Sequence, residues 1–404
     1  MLQNANGINM LDVKKRNRSA ILKLVFQNKS ISRKEIAATL GLTPAAITLI
    51  MTDLINEGLI SESYVEQSSN KKGRKEIMLE MNNRKFAAVG VYISKSKFRV
   101  ICIDLNSKIL FEDVVHTADC HNKSAKILDK LCTIIEENLT NYDVLRTHKL
   151  LGIGISVNGI VNTHRGISIN SYGIWENNAT VSSYVQSKLD TPVLLTNNIC
   201  AMAHGESFLS NMTHPDNLLF IKYGPGVGAA RLFYRYSMSI FDFKSIELGH
   251  TIADPHGLPC VCGSQGCLET IASYDSIEKS IVDLFSETHT PALYQLLDGN
   301  AENISMNAVM EAFSKQDVPI KITLERVCHY FAIAIKNAIN LLDPSIVVLY
   351  GELFENPDFR KCLATNLKQF SDTDKVIFSH YNLQLEALGP ASTIINYFLE
   401  NGGN

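Results

Sequence analysis

Residues 250–269 read H-T-I-A-D-P-H-G-L-P-C-V-C-G-S-Q-G-C-L-E. His250, Cys260, Cys262 and Cys267 fall within this short run, with Gly257, Pro259, Gly263 and Gly266 bending the chain between them. Soft nitrogen and sulfur donors at such spacing suit a tetrahedral zinc ion. Four protein ligands leave no position for a metal-bound water, so the implied zinc is structural rather than catalytic. The alternative is a cysteine-rich loop that holds no metal.

The rest of the chain has the size and balance of an ordinary globular protein. Its 404 residues are enough for two or three domains, and a charged content of 20% is unremarkable for the class. No apolar run reaches the roughly 20 residues of a membrane span, and no signal peptide opens the chain. The nine cysteines, three of them in the quoted stretch, fit a reducing compartment better than a disulfide framework. A cytoplasmic location is expected. The net charge of −3 divides unevenly, with twelve Lys/Arg against eight Asp/Glu in residues 1–80 and a net of −7 after them. A basic N-terminal unit on an acidic body points weakly to an anionic partner.

Residues 1–80 carry a more specific pattern. Ile21, Leu22, Leu24 and Val25 form an apolar helical face within 17–27. Ser32 and Glu35 have capping-box spacing ahead of R-K-E-I-A-A-T-L, and Gly41 stops that helix. Thr43 caps the next helix, with Pro44 at its first position. That helix is expected to bury Ile47, Ile50, Leu54 and Ile55 and to leave Ala45, Ala46, Thr48, Leu49 and Thr52 outside. Two short helices across a glycine turn make a helix-turn-helix whose second helix enters the major groove. The strand-like segments 59–65 and 77–79 flank Asn70-Lys71-Lys72-Gly73-Arg74-Lys75, which reads as the tip of a β-wing. The candidate DNA contacts are Arg33, Thr43, Pro44, Ala45, Ala46, Thr48, Lys71, Lys72, Arg74 and Lys75. Thr43 and Thr48 offer hydroxyls, Ala45 and Ala46 can meet thymine methyls, and the wing cations can reach phosphates or a narrow minor groove. A three-helix protein-binding module and a solvated charge run are the competing explanations.

Beyond residue 85 an apolar strand three times leads into small residues, at 86–105, 150–161 and 218–233. Helical spacing at 125–139 and 324–342 supplies crossovers, Asp343-Pro344 ends the second, and S-I-V-V-L-Y at 345–350 resumes as a buried strand. This is an α/β layering with glycines where a ligand could approach the backbone.

Arg16-Asn17, Ser32-Arg33-Lys34-Glu35, Gly41-Leu42-Thr43 and Gly73-Arg74, then Gly152–Gly159, Gly205-Glu206, Gly224–Gly228, Glu247–His250 and Cys260–Glu269, together resemble the ROK family (repressors, open reading frames, sugar kinases), in its repressor branch. The resemblance runs over nearly the whole chain. It implies a winged helix-turn-helix followed by a two-lobed actin/hexokinase-like body built from a duplicated ribonuclease-H-like unit. The expected boundaries are 1–80 for the DNA-binding domain, 81–200 for the first α/β lobe, and 201–404 for the second lobe with the zinc loop. The last helix is expected to return to the first lobe. A homodimer or tetramer is also implied.

The resemblance further implies sugar-hydroxyl contacts at Glu247, His250 and Glu269, with Asn197 and Asn198 as further effector-binding candidates. His250 would serve zinc with one ring nitrogen and a ligand with the other. The kinase machinery, by contrast, is degenerate. The run aligned with the family's Asp-x-Gly-Gly-Thr-Lys phosphate loop reads Tyr92-Ile93-Ser94-Lys95-Ser96-Lys97. The position of the catalytic aspartate is Asn198, whose amide has no basic site near neutral pH. Cys200 replaces a second asparagine, and residues 229–246 carry five aromatics where the family is glycine-rich. No catalytic residue and no bound ATP are therefore expected. The function implied is a repressor of carbohydrate genes whose operator binding answers to a sugar or sugar phosphate. The alternative at the cleft is an empty scaffold in which Glu247 and Glu269 brace the zinc loop, with control passing to a protein partner. The active sugar kinase is the remaining alternative.

Overall fold

The computed structural model describes residues 10–64, 77–116, 123–210, 217–233, 243–370 and 373–403. At the N-terminal end, α1 (Met10–Asn28) buries Ile21, Leu22 and Val25 and leaves Leu24 half-buried. The short β1 (Ile31–Ser32) leads into α2 (Arg33–Leu40), where the Glu35 N–H donates to Ser32 Oγ at 3.3 Å and the Ser32 N–H donates to Glu35 Oε2 at 2.9 Å. Gly41 ends the helix at φ +64. In α3 (Pro44–Asn56), Thr43 Oγ1 accepts from the Ala46 N–H at 3.3 Å and Pro44 needs no such partner. The buried set of this helix is Ile47, Ile50, Met51 and Leu54. Met51, not Ile55, completes the i, i+3, i+4, i+7 stripe; Ile55 is half-buried at its edge. The strands β2 (Ile60–Tyr64) and β3 (Ile77–Met81) pair antiparallel, and β1 adds to the other side of β3. They form a small sheet of order β1-β3-β2 under the helices. The wing cations Lys71, Lys72, Arg74 and Lys75 lie outside the described residues.

The body opens with β4 (Phe86–Ile93), β5 (Lys97–Asp104) and β6 (Ile109–His116). There follow α4 (Ser124–Asn141), α5 (Val144–Thr147), β7 (Lys149–Val157), β8 (Ile160–Asn162), β9 (Ile167–Asn170), α6 (Val181–Leu189), β10 (Val193–Asn197) and α7 (Asn198–Leu209). The main sheet of this half runs β10-β7-β4-β5-β6, with β4, β7 and β10 parallel and the β4-β5-β6 meander antiparallel. Trp175 packs in its core and donates from Nε1 to Ser168 Oγ at 3.0 Å.

The second half repeats this pattern with β11 (Asn217–Tyr223), β12 (Val227–Phe233) and β13 (Phe243–Ile246). Helices α8 (Glu269–Ala272), α9 (Tyr274–Val282), α10 (Pro291–Leu296), α11 (Met306–Ser314) and α12 (Val318–Leu342) precede β14 (Ile346–Tyr350), α13 (Pro357–Lys368), β15 (Val376–Phe378) and α14 (Leu385–Glu400). The sheet order is β13-β12-β11-β14-β15, an antiparallel meander with two parallel strands added beside its first member. Counted from each meander's first strand, both sheets have the order third, second, first, fourth, fifth, which is the duplication expected of the fold. The helix expected over 324–342 begins at Val318, because Pro319 sits in the first turn where no N–H is needed. Cys102, Cys132 and Cys328 are buried and Cys362 is half-buried.

By its contacts the chain forms two compact units, one mainly Met1–Ala201 with Glu386–Asn404, the other mainly Met202–Ser237 with Phe241–Leu385. The head and the C-terminal helix therefore both belong to the first unit. There α14 lies so close to the sheet that a Cβ on Gly90 would come within 1.9 Å of the Ala387 carbonyl oxygen, and one on Gly154 within 1.9 Å of that of Pro390. The end of the chain then reaches the head. Arg18, 8% exposed, donates to the Gly402 carbonyl and to both carboxylate oxygens of Glu57, while Gly403 packs against Leu22 and Leu59. Lys23 pairs with Glu400 at 3.1 Å.

Candidate metal centre and nucleic-acid interface

The segment holding the four soft donors folds back on itself. The Cys260 N–H donates to the Ser264 carbonyl at 2.8 Å and the Gly266 N–H to that of Leu258 at 2.9 Å, closing a tight loop. Ala253 and Asp254 both donate to the Gly266 carbonyl. Gly266 has φ +74, and a Cβ there would fall 1.7 Å from the Asp254 carbonyl oxygen, so glycine is required. These bonds bring one ligand atom from each of His250, Cys260, Cys262 and Cys267 within 4.8 Å of one another. Cys260 Sγ lies 3.5 Å from His250 Nδ1, and Cys262 Sγ lies 3.6 Å from Cys267 Sγ. A tetrahedral ion with bonds of about 2.3 Å to sulfur and about 2.0 Å to nitrogen requires edges of roughly 3.5–3.8 Å. The donor set and its spacing are compatible with structural zinc.

Hydrogen bonds from the Ser264 backbone and then its side chain hold the Cys262 thiol down at about 6, whereas burial pushes Cys267 up to about 12. Of these two thiols the exposed Cys262 is thus the nearer to its metal-binding thiolate form. His250 faces the thiols with Nδ1, which leaves Nε2 for another partner.

The remaining candidates of the second unit differ in what already holds them. Glu269 starts α8 and accepts the Val227 N–H through Oε2 at 2.9 Å. Its carboxyl is raised above the usual range by burial, an effect opposed by the Val227 N–H and by His250. It packs so tightly against Gly226 and Gly249 that a Cβ on either would fall within 2.6 Å of a Glu269 oxygen. Glu247 is exposed. In the first unit, Asn197 ends β10 and acts as the cap of α7, its Oδ1 accepting from the Ile199 and Cys200 N–H groups at 2.9 and 3.2 Å. Its Nδ2 donates to the Gly159 carbonyl at 2.8 Å. Asn198, the first residue of α7, is buried. Sequence alone could not foresee that Asn197 and Glu269 hold backbone groups of their own units.

The β4–β5 turn is braced by side chains around it. Tyr92 is buried, Lys97 donates its N–H to Ser94 Oγ at 3.2 Å, and Lys97 Nζ sits 3.1 Å from Glu386 Oε2. Arg99 completes this cluster beside Glu112 and Glu386.

In the head, the outward face of α3 presents Pro44, Ala45, Thr48, Leu49 and Thr52, with Ala46 half-buried. Arg33 is held by Glu62 at 2.6 Å. Sequence reasoning missed the Lys14–Asp53 pair at 2.9 Å, which engages the acidic side chain of α3.

A model of the ROK family matches residues 88–393. The chain belongs to the ROK family. A winged helix-turn-helix DNA-binding model matches residues 15–61 of this ROK protein. The xylose repressor of Bacillus subtilis (strain 168) is 24% identical over 394 residues, covering 96% of this chain and 97% of that protein. The DNA-binding transcriptional dual regulator NagC of Escherichia coli (strain K12) is 26% identical over 385 residues, covering 91% and 89%. Among solved structures, a ROK family transcriptional regulator described as a homologue of the E. coli MLC protein aligns with a TM-score of 0.79 at 23% identity, over 97% of this chain and 98% of its own. A ROK family glucokinase from Streptomyces griseus, solved with glucose and AMPPNP, aligns over 76% of this chain and 98% of its own, with a TM-score of 0.61 and 22% identity. Among the described residues no helix is long and apolar enough to cross a membrane.

Proposed function

We propose that this ROK protein is a DNA-binding transcriptional repressor of carbohydrate genes, acting in the cytoplasm as a homodimer or tetramer. The observation that carries the proposal is the doubly capped α2–Gly41–α3 unit with its outward face free of core contacts, joined to a ROK body and similar along its length to repressors. In this reading residues 1–80 act as the head, 81–200 as the first lobe and 201–404 as the second, with the last helix returning to the first. Thr43, Pro44, Ala45, Ala46 and Thr48 meet the major groove, and Lys71, Lys72, Arg74 and Lys75 meet phosphates from the wing. Arg33 joins them by exchanging Glu62 for a phosphate. The ion at His250, Cys260, Cys262 and Cys267 is zinc, which supplies a fixed fold to its loop and no chemistry.

Kinase chemistry is absent from this proposal. Phosphoryl transfer needs a phosphate cradle, a metal and a proton acceptor placed together. A buried Tyr92 near the end of β4, a following turn without glycine and an amide at Asn198 supply neither cradle nor base. The effector is a sugar or sugar phosphate, with Glu247, His250 and Glu269 as candidates in the second unit and Asn197 and Asn198 in the first. Such an effector shifts operator affinity through a coupling of about 1–3 kcal/mol. A second reading, control by a protein partner, draws support from the internal engagement of Asn197 and Glu269.

Footprinting on fragments of the source genome tests the repressor, and a chain that protects no duplex refutes it. Thermal-shift titration with sugars and sugar phosphates then separates the two modes of control. A stabilising sugar supports direct induction, and a flat panel moves the weight to a protein partner. A coupled ATPase assay with hexoses should show no turnover.

A further inference from the structure

Helix α3 has few hydrogen-bond donors to offer a base. The Thr48 hydroxyl donates to the Pro44 carbonyl at 2.8 Å, and the Thr52 hydroxyl donates to the Thr48 carbonyl at 2.8 Å. Both protons are engaged within the helix, so towards a groove these side chains show an acceptor oxygen and a methyl group. Between them stands Leu49, 62% exposed on a face that is otherwise small. Ala45 and Ala46 add two more methyls, and no Arg, Lys or Gln occurs from Pro44 to Asn56. Asp53 is turned to Lys14 and Arg33 to Glu62. Thr43 keeps a proton at the leading end, a single contact that serves any base pair or a phosphate.

The groove pattern that complements such a surface is specific. In the major groove an A·T pair shows the adenine N6 amine between the adenine N7 and thymine O4 acceptors, with the thymine C5-methyl beside them, while a G·C pair shows the guanine N7 and O6 acceptors and the cytosine N4 amine, with no methyl. The threonine oxygens on α3 can accept from either amine, so the hydroxyls alone do not choose. The methyl does: only thymine gives Leu49 and the alanines an apolar partner, and against G·C that apolar surface would be buried on polar base edges. From this surface we infer that α3 reads A·T pairs through thymine methyls, with Leu49 as the main apolar contact and the Thr48 and Thr52 oxygens accepting from adenine amines. The inference rests on the DNA-binding reading above and adds to it a base class and a specificity-determining residue, Leu49.

The test uses the full-length protein and random duplex pools carried through parallel selections with dTTP or dUTP. The thymine pool should enrich half-sites with A·T pairs in their core, and the uracil pool should enrich poorly. In the selected site, single thymine-to-deoxyuridine changes should weaken binding about fourfold per buried methyl. At the same position 5-methylcytosine should bind about fourfold better than cytosine. Leu49→Ala, at an exposed position that leaves the fold intact, should abolish the deoxyuridine effect at one base pair and preserve it at the others. Equal enrichment from both pools, a G·C core, or a Leu49→Ala protein with an unchanged deoxyuridine profile would overturn the inference while leaving DNA binding in place. Recovery of no duplex from either pool would instead remove the DNA-binding reading itself, and this inference with it.

Discussion

The two halves of the body share one strand order and solve the packing of their central strands in opposite ways. In the first sheet Gly90 faces Gly154 across β4 and β7, and the backbone of α14 presses into the space their missing side chains leave. In the second sheet the corresponding pair of strands brings Phe220 opposite Val348 and Ile221 opposite Leu349. Its core is filled by rings: Tyr223 stacks on Phe331 at 4.9 Å between centroids, with Phe354 and Phe359 close by. The hairpin turns differ in the reverse sense, glycine-rich at Gly224-Pro225-Gly226 and without glycine at Ser94-Lys95-Ser96. One topology thus tolerates exchange of where the backbone comes close, provided that something of matching shape fills the space.

Three measurements sharpen or break this contrast. The largest effect should come from the candidate metal loop at His250–Cys267, which among the described residues has no counterpart in the first half. If the loop holds zinc as proposed, chelating the metal and restoring zinc to a thousand times its dissociation constant should return about 4 kcal/mol of stability. Hydrogen exchange should place that gain between β12 and α9; equal protection gained in both sheets would erase the distinction. Next, Gly154→Ala should cost about 3 kcal/mol or more in urea unfolding, because the new methyl meets the Pro390 backbone oxygen and not a movable side chain. A loss below about 1 kcal/mol would mean that α14 moves away without penalty. The smallest effect should follow Tyr223→Phe. The Tyr223 hydroxyl is buried with no hydrogen-bond partner among the described residues, so its removal should leave stability within about 1 kcal/mol of the parent or raise it. A clear loss would reveal a partner, and the ring cluster would then owe its order to a polar contact.

What could be read from the sequence was what short-range chemistry specifies. Ser32 with Glu35, Gly41, and Thr43 with Pro44 fix the helix ends from within four residues, and each lies where its spacing places it. The Cys260, Cys262 and Cys267 spacing is equally local, and His250 joins them within the same stretch. Periodicity was a coarser guide, as the exchange of Ile55 for Met51 shows, because eight residues along a helix drift off the buried stripe. The engagement of Asn197 and Glu269 was invisible, since a residue type reveals what a side chain can bond and not which backbone group reaches it first. Least legible were contacts such as Arg18 with Gly402, which join opposite ends of the chain with no pattern in between.

That last contact ties the head to a distant part of the chain. Because Gly402 and Gly403 close over Arg18, Leu22 and Leu59, the packing of the N-terminal helices is completed by a segment 384 residues away from Arg18 in sequence. A substitution at Gly402 or Gly403 would leave every side chain of α3 unchanged and still disturb the plug beneath it. The head is therefore clamped from a distance, and bulk added at Gly403 would press on Leu59 at that joint.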